Sequence, residues 1–110
     1  MKQIYFDDVT TMAKYAKGSV HKIYLHWTAG TYDQTFPEYH INITGSGQMF
    51  TENGDLTERL EHTWHRNSGA IGIALCCCND AQMNGDKTFT LGSNPPTTQQ
   101  IETLAILLAL

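Results

Sequence analysis

His26 closes the apolar run Ile23-Tyr24-Leu25 and precedes the small residues Thr28-Ala29-Gly30, which turn the chain away. The run is β-prone throughout and suits a strand buried on both faces. A histidine at the end of such a strand is held on rigid backbone while its ring faces a cleft, which is a good setting for a metal ligand. The plainer alternative is a buried histidine bonded to a neighbouring carbonyl. A second polar cluster, His62-Thr63-Trp64-His65-Arg66-Asn67-Ser68-Gly69, is dense in donors and acceptors. His62 and His65 have the spacing of two ligands on a helical turn, yet Gly69 and the polar surroundings point to a loop.

The three cysteines are consecutive, Cys76, Cys77 and Cys78. Neighbouring residues of a strand point to opposite faces, so the three are poorly placed to pair with one another. The expectation is small apolar filler in a core strand, without a disulfide framework, as suits a reducing compartment.

These residues need elements to position them. Asp7 or Asp8 is expected to cap a first helix ending near Lys17, with Val9, Met12, Ala13 and Ala16 on one face and Gly18 at its stop. The His26 strand follows. Thr31 to Glu38 has no period, and Pro37 argues against a helix. Tyr39 to Ile43 and Gln48 to Thr51 read as the two strands of a hairpin around Gly45-Ser46-Gly47. Leu56 to Leu60 reads as loop or one helical turn. Ile71 to Cys76 is a fully apolar strand, and Asn79 to Asn94 a loop. Thr97, with Gln100 three residues on, forms a capping-box pattern for a final helix after Pro95-Pro96. The fold class expected is α/β, a single mixed β-sheet flanked by helices.

With 110 residues, 41% of them apolar and 16% charged, the chain has the length and composition of one small globular domain. The net charge is −4 and no Lys/Arg cluster occurs, so nucleic acid is set aside as a partner. No segment is long and apolar enough to span a bilayer, so no membrane partner is expected. The first residues lack the apolar core of a signal peptide, so the expected site of synthesis is the cytoplasm without an export signal in this chain. The final helix has no closing glycine, basic last turn or polar tail, which leads us to expect a fragment whose natural chain continues past Leu110.

Taken together, three segments resemble, in order, the type-2 N-acetylmuramoyl-L-alanine amidases, a family that includes phage lysozyme-type amidases and the peptidoglycan recognition proteins. Ile23-Tyr24-Leu25-His26-Trp27-Thr28-Ala29 is similar to the family's first metal-ligand strand. Tyr39-His40-Ile41-Asn42-Ile43 with Gly45-Ser46-Gly47 is similar to its Tyr-His hairpin. His62 to Ile73 is similar to its His-x4-Asn-x3-Ile-Gly segment. The resemblance runs from about residue 20 to Leu110 and implies zinc-dependent hydrolysis of an amide in peptidoglycan, as in an endolysin or a wall-remodelling enzyme acting on the cell wall. By position it makes His26 a Zn2+ ligand and Tyr39 the catalytic residue that assists at the tetrahedral intermediate. It makes His62 and Asn67 groove residues near the metal, and Trp64 and Arg66 contacts for glycan or stem peptide. The plainer alternatives are a core or rim aromatic for Tyr39 and a solvated rim for Trp64 and Arg66.

Two departures from the family pattern bear on the chemistry. Ala74 stands where some relatives carry a catalytic glutamate, which makes the chain closer to a tyrosine-dependent branch. The family's second and third zinc ligands lie after the last helix, and this chain has no histidine beyond His65. The domain is therefore expected to span residues 1–110 as an amidase-like unit lacking the segment with the remaining ligands. A non-catalytic peptidoglycan-binding module is the second reading. A zinc or structural domain using His26, His62 and a cysteine is the third.

Overall fold

The computed structural model describes residues 1–63, 66–86 and 88–110. Among the described residues, seven strands and two helices follow in the order β1 (Lys2–Ile4), α1 (Phe6–Ala16), β2 (Lys22–Trp27), β3 (Ile41–Ile43), β4 (Met49–Thr51), β5 (Ala70–Leu75), β6 (Gln82–Met83), β7 (Phe89–Thr90) and α2 (Thr98–Leu108). The first five strands form one mixed sheet in the order β1-β4-β3-β5-β2. β1, β4 and β3 are antiparallel neighbours, whereas β3, β5 and β2 run parallel. The chain is thus a mixed α/β domain with a five-stranded sheet and two helices. No helix among the described residues is long and apolar enough to cross a membrane.

Strand register separates two faces. In β5, Ile71, Ile73 and Leu75 alternate with Gly72 and Ala74, and a period of two sends the large and small residues to opposite sides. Ile71 and Ile73 join Ile41 and Ile43 of β3, Val9, Met12 and Ala16 of α1, and Leu107 of α2 in one core. Helix packing therefore concentrates on the large-residue face. Gly72 and Ala74 open the other face. There Tyr24 lies beside Gly72, and His26 and Asn42 lie on either side of Ala74.

The expectation of a fully buried His26 strand is corrected. β2 forms the sheet edge, paired only with β5, and Ile23, Leu25 and Trp27 remain 50%, 53% and 60% exposed. Its apolar run reflects one strand covered from below on part of its length, while β5 takes the doubly buried position. The first helix also starts differently. Tyr5 holds the N-cap position, and Asp8 caps from inside the helix, its Oδ2 accepting the Tyr5 N–H at 2.8 Å.

Elsewhere the hairpin, the apolar β5 strand and the final helix form, with two bounds corrected: β3 starts at Ile41, so Tyr39 and His40 precede it rather than lie in it, and β5 stops at Leu75 rather than Cys76. Gly47 has φ +87 in the β3–β4 turn, a left-handed conformation that glycine adopts without strain. At α2, Thr97 Oγ1 accepts the Gln100 N–H at 3.0 Å, and Gln100 Oε1 accepts the Thr97 N–H at 2.9 Å. The fully buried Gln100 also donates through Nε2 to the carbonyls of Ile43 at 3.1 Å and Cys76 at 2.8 Å. One side chain thus ties the start of α2 to the ends of two parallel strands. The segment read as a plain loop, 79–94, contains the short hairpin β6–β7.

Candidate functional site

The small-residue face of the sheet carries the site. His26 projects from the end of β2, and the loop 28–40 returns across it. That loop is pinned by Asn42, which is wholly buried. Asn42 Oδ1 accepts the Phe36 N–H at 2.9 Å, and its Nδ2 donates to the Phe36 carbonyl at 3.0 Å. Three residues later the loop delivers Tyr39, whose ring centroid stands 5.1 Å from that of His26. His40, next in sequence, is buried and directed away from solvent.

His62 arrives from the segment before β5. Its Nδ1 lies 3.1 Å from His26 Nε2, so one of the two rings donates to the other. The ring also approaches His40, with centroids 5.6 Å apart, and Tyr24, at 6.2 Å. This placement depends on Gly72, because a β-carbon there would stand 2.7 Å from His62 Cγ. Asn67 fixes the backbone beneath the ring. Its Oδ1 accepts from the N–H groups of His62 at 3.1 Å and Thr63 at 2.8 Å, and from the Thr63 hydroxyl at 2.8 Å. Its Nδ2 donates to Glu61 at 3.1 Å. Asn67 is buried, and its hydrogen bonds hold the backbone at His62 and Thr63.

Hydrogen bonding assigns His40 its tautomer. Nδ1 accepts the Gly72 N–H at 2.9 Å, so the proton sits on Nε2 and is donated to the Glu58 carbonyl at 2.6 Å. Both nitrogens are occupied, and His40 acts as a structural tie between β5 and the Glu58 loop. It also shows the plainer fate of a buried histidine, bonded to backbone, that was the alternative for His26. His26 itself takes a side-chain partner.

Electrostatics favour neutral rings throughout the cluster. Burial lowers the pKa of His26 below 6.5. His40 is lowered mainly by burial, against the pull of the Glu58 carbonyl and nearby carboxylates. His62 falls to about 4, first through burial and then through His26 and His40, against smaller contributions from Ala70 and Glu61. Neutral imidazole is the form that ligates a metal. Burial, with Glu38 and Cys76 adding to it, raises the Tyr39 phenol above 10.0, which keeps it a proton donor at neutral pH. A cleft of about 220 Å³ lined by Pro37, Tyr39, His40, Glu52, Asn53 and Glu58 adjoins the tyrosine.

His26 Nε2 and His62 Nδ1 are hydrogen-bonded to each other at 3.1 Å, so His26 would have to release His62 before that nitrogen could hold a metal. Among the described residues no three His, Cys, Asp or Glu side chains gather around one point. The structure thus brings together His26, Tyr39, His62 and Asn67 of the sequence-predicted residues. Trp64, also expected at the substrate, and His65, the other half of the helical-turn pair, lie outside the described residues. The role of Gly72 was missed, although the alternation of large and small residues in Ile71-Gly72-Ile73-Ala74 signals it.

The cysteines depart from expectation. β5 ends at Leu75, and Cys78 has φ +68, so the three do not alternate as in a strand. Cys78 instead donates its S–H to Cys77 Sγ at 3.3 Å. All three are buried free thiols. Compared with protein-family models, curated proteins and solved structures, the chain gives no significant match to any of them.

Proposed function

We propose that this domain serves a zinc-dependent N-acetylmuramoyl-L-alanine amidase, which hydrolyses the amide between N-acetylmuramic acid and L-alanine in peptidoglycan. The finer fold assignment, an amidase and peptidoglycan recognition protein-like sheet, is part of the same proposal. One observation carries it. His26, Tyr39 and His62 come from three separate motifs of the resemblance and converge on one face, with His26 5.1 Å from the Tyr39 ring and 3.1 Å from a His62 nitrogen.

In this reading His26 would supply a neutral imidazole to Zn2+. A bound zinc supplies Lewis acidity toward the substrate carbonyl and lowers the pKa of its water. Tyr39 keeps its phenolic proton and donates a hydrogen bond to the oxyanion that develops on the attacked carbonyl. His62 walls the groove beside His26, and Asn67 holds it there. Trp64 is assigned to substrate contact. The cleft beside Tyr39 receives the part of the substrate next to the scissile bond. Ala74 leaves β5 without a carboxylate at the position used by some relatives, which puts more weight on the tyrosine.

The test uses the natural full-length polypeptide. Elemental analysis is expected to find one equivalent of zinc, and purified cell wall is expected to yield new L-alanine amino termini. His26→Ala should abolish both. Zinc-loaded protein that binds wall fragments but releases no amino termini would replace this proposal with the binding-module reading. Zinc binding that survives His26→Ala but is lost on substituting Cys76, Cys77 and Cys78 would favour the histidine–cysteine site.

A further inference from the structure

Cys77 and Cys78 lie where the chain leaves β5, and the backbone around them is held on several sides. The Cys78 N–H donates to the Asn94 carbonyl at 2.7 Å, and Cys78 forms a parallel bridge with Gly30. Its φ of +68 is a left-handed conformation that a non-glycine residue adopts only under strain. Ala29, the neighbour of Gly30, has φ +58. One partner of the bridge and the neighbour of the other are thus left-handed. The consequence of the left-handed turn is that two adjacent thiols, which extended backbone would send to opposite faces, meet with their sulfurs 3.3 Å apart.

We propose that Cys77 and Cys78 form an oxidation site, a dithiol that closes to a vicinal disulfide on meeting a low-molecular-weight disulfide. Cys78, only 4% exposed, lines a cavity of about 230 Å³ together with Leu25, His26, Trp27, Phe89 and Leu91, the side from which a small oxidant would approach its sulfur. Cys77 is fully buried behind it. The Cys78 thiolate attacks one sulfur of the small disulfide, forming a mixed disulfide, and the first small thiol leaves with the proton that Cys78 gave up. Cys77 then attacks Cys78 Sγ. The mixed disulfide breaks, and the second small thiol leaves with the proton from Cys77. The cysteine pair loses two electrons, and the small disulfide gains them.

Chain geometry makes this bond a reversible one. Consecutive α-carbons stand about 3.8 Å apart, short of the roughly 4.4–6.8 Å that disulfides prefer. Strained disulfides lie at the oxidising end of the scale and are readily reduced. In the structure the pair is a dithiol, with the Cys78 S–H donated to Cys77 Sγ at 3.3 Å. Cys76 stays outside the pair. Its N–H is bonded to the Ile43 carbonyl at 2.9 Å, in line with the strand rather than the turn.

The folded protein would be treated with oxidised glutathione, denatured in acid, and alkylated with iodoacetamide. The modified cysteines would then be located by fragmentation mass spectrometry. The expected product is two hydrogens lighter than the reduced protein and alkylated on Cys76 alone, with dithiothreitol restoring all three sites. In Cys77→Ser, a near-isosteric change, the reaction should stop at a glutathione adduct on Cys78. Three alkylated cysteines in the oxidised wild-type protein, a lasting adduct on wild-type Cys78, or a bond that includes Cys76 would each overturn the proposal.

Discussion

The imidazole of His62 fills the space that a side chain on Gly72 would take, with a β-carbon there falling 2.7 Å from Cγ and 2.8 Å from Nδ1. The glycine is therefore a requirement of the site, though it sits in the middle of a strand, where glycine is ordinarily unfavourable. Gly72→Ala forces the ring away and breaks its contact with His26. Overpacking of this kind costs about 1–3 kcal/mol. The expected result is a lower denaturation midpoint together with shifted His62 and His26 ring resonances. Unmoved resonances would show that the two histidines do not rely on this vacancy.

His40 gives the fold a pH dependence with a definite sign. Its Nδ1 accepts from the Gly72 N–H, so a second proton on the ring would face a donor. The folded-state pKa lies below the unfolded 6.5, and His62 shares that sign with a value of about 4. As pH falls, the unfolded chain therefore takes up protons first. Stability from these rings is fully present above about 6.5 and is lost as pH falls, in the case of His62 toward about 4. Urea denaturation at pH 7.5 and pH 5 should show the decline, and His40→Gln should flatten part of it. His40→Ala should in addition cost roughly 1–3 kcal/mol at neutral pH, because the Gly72 N–H and Glu58 carbonyl lose their partner.

Much of this architecture was legible in local patterns. The Thr97–Gln100 box, the Gly45-Ser46-Gly47 turn and the apolar β5 run each specify an element through nearby residues alone. What was not legible depended on long-range pairing. Ile23-Tyr24-Leu25 reads as a doubly covered strand, but sheet order places it at the edge, and no local signal carries sheet order. Cys76 to Cys78 read as alternating strand residues, but the strand stops at Leu75 and Cys78 turns left-handed, held by Asn94 and Gly30 from distant segments. At the site, the strand-end position pointed to His26, and the family resemblance alone pointed to Tyr39 and His62. The division of labour between His62 and His40 required the hydrogen-bond partners, since both are histidines in polar stretches.

Gln100 offers a separate test of how α2 is attached. Its Nε2 donates to two strand-end carbonyls, Ile43 and Cys76, from a fully buried position. Gln100→Met keeps much of the volume but removes the bonds to both carbonyls and the acceptor of the Thr97 N–H, so the Cys76 carbonyl and the Thr97 N–H lose these partners while the Ile43 carbonyl keeps the Cys76 N–H. A loss of about 1–3 kcal/mol is expected by chemical denaturation, with faster amide exchange at the ends of β3 and β5. A neutral substitution would mean that helix packing through Leu104 and Leu107 holds α2 by itself.

Tyr39 separates binding from chemistry on the proposed amidase reading. Its phenol stays protonated because burial, followed by Glu38 and Cys76, raises its pKa, and its loop is fixed independently by Asn42. Tyr39→Phe removes one hydroxyl without disturbing either the His26 ring contact or the loop anchor. If the hydroxyl serves the oxyanion, kcat on a muramoyl-peptide substrate should fall by about 10²–10³ with KM nearly unchanged, as for loss of one oxyanion donor. Zinc content should be unaffected. A rise in KM at constant kcat would instead make Tyr39 a binding residue of the cleft, and the oxyanion would need another donor.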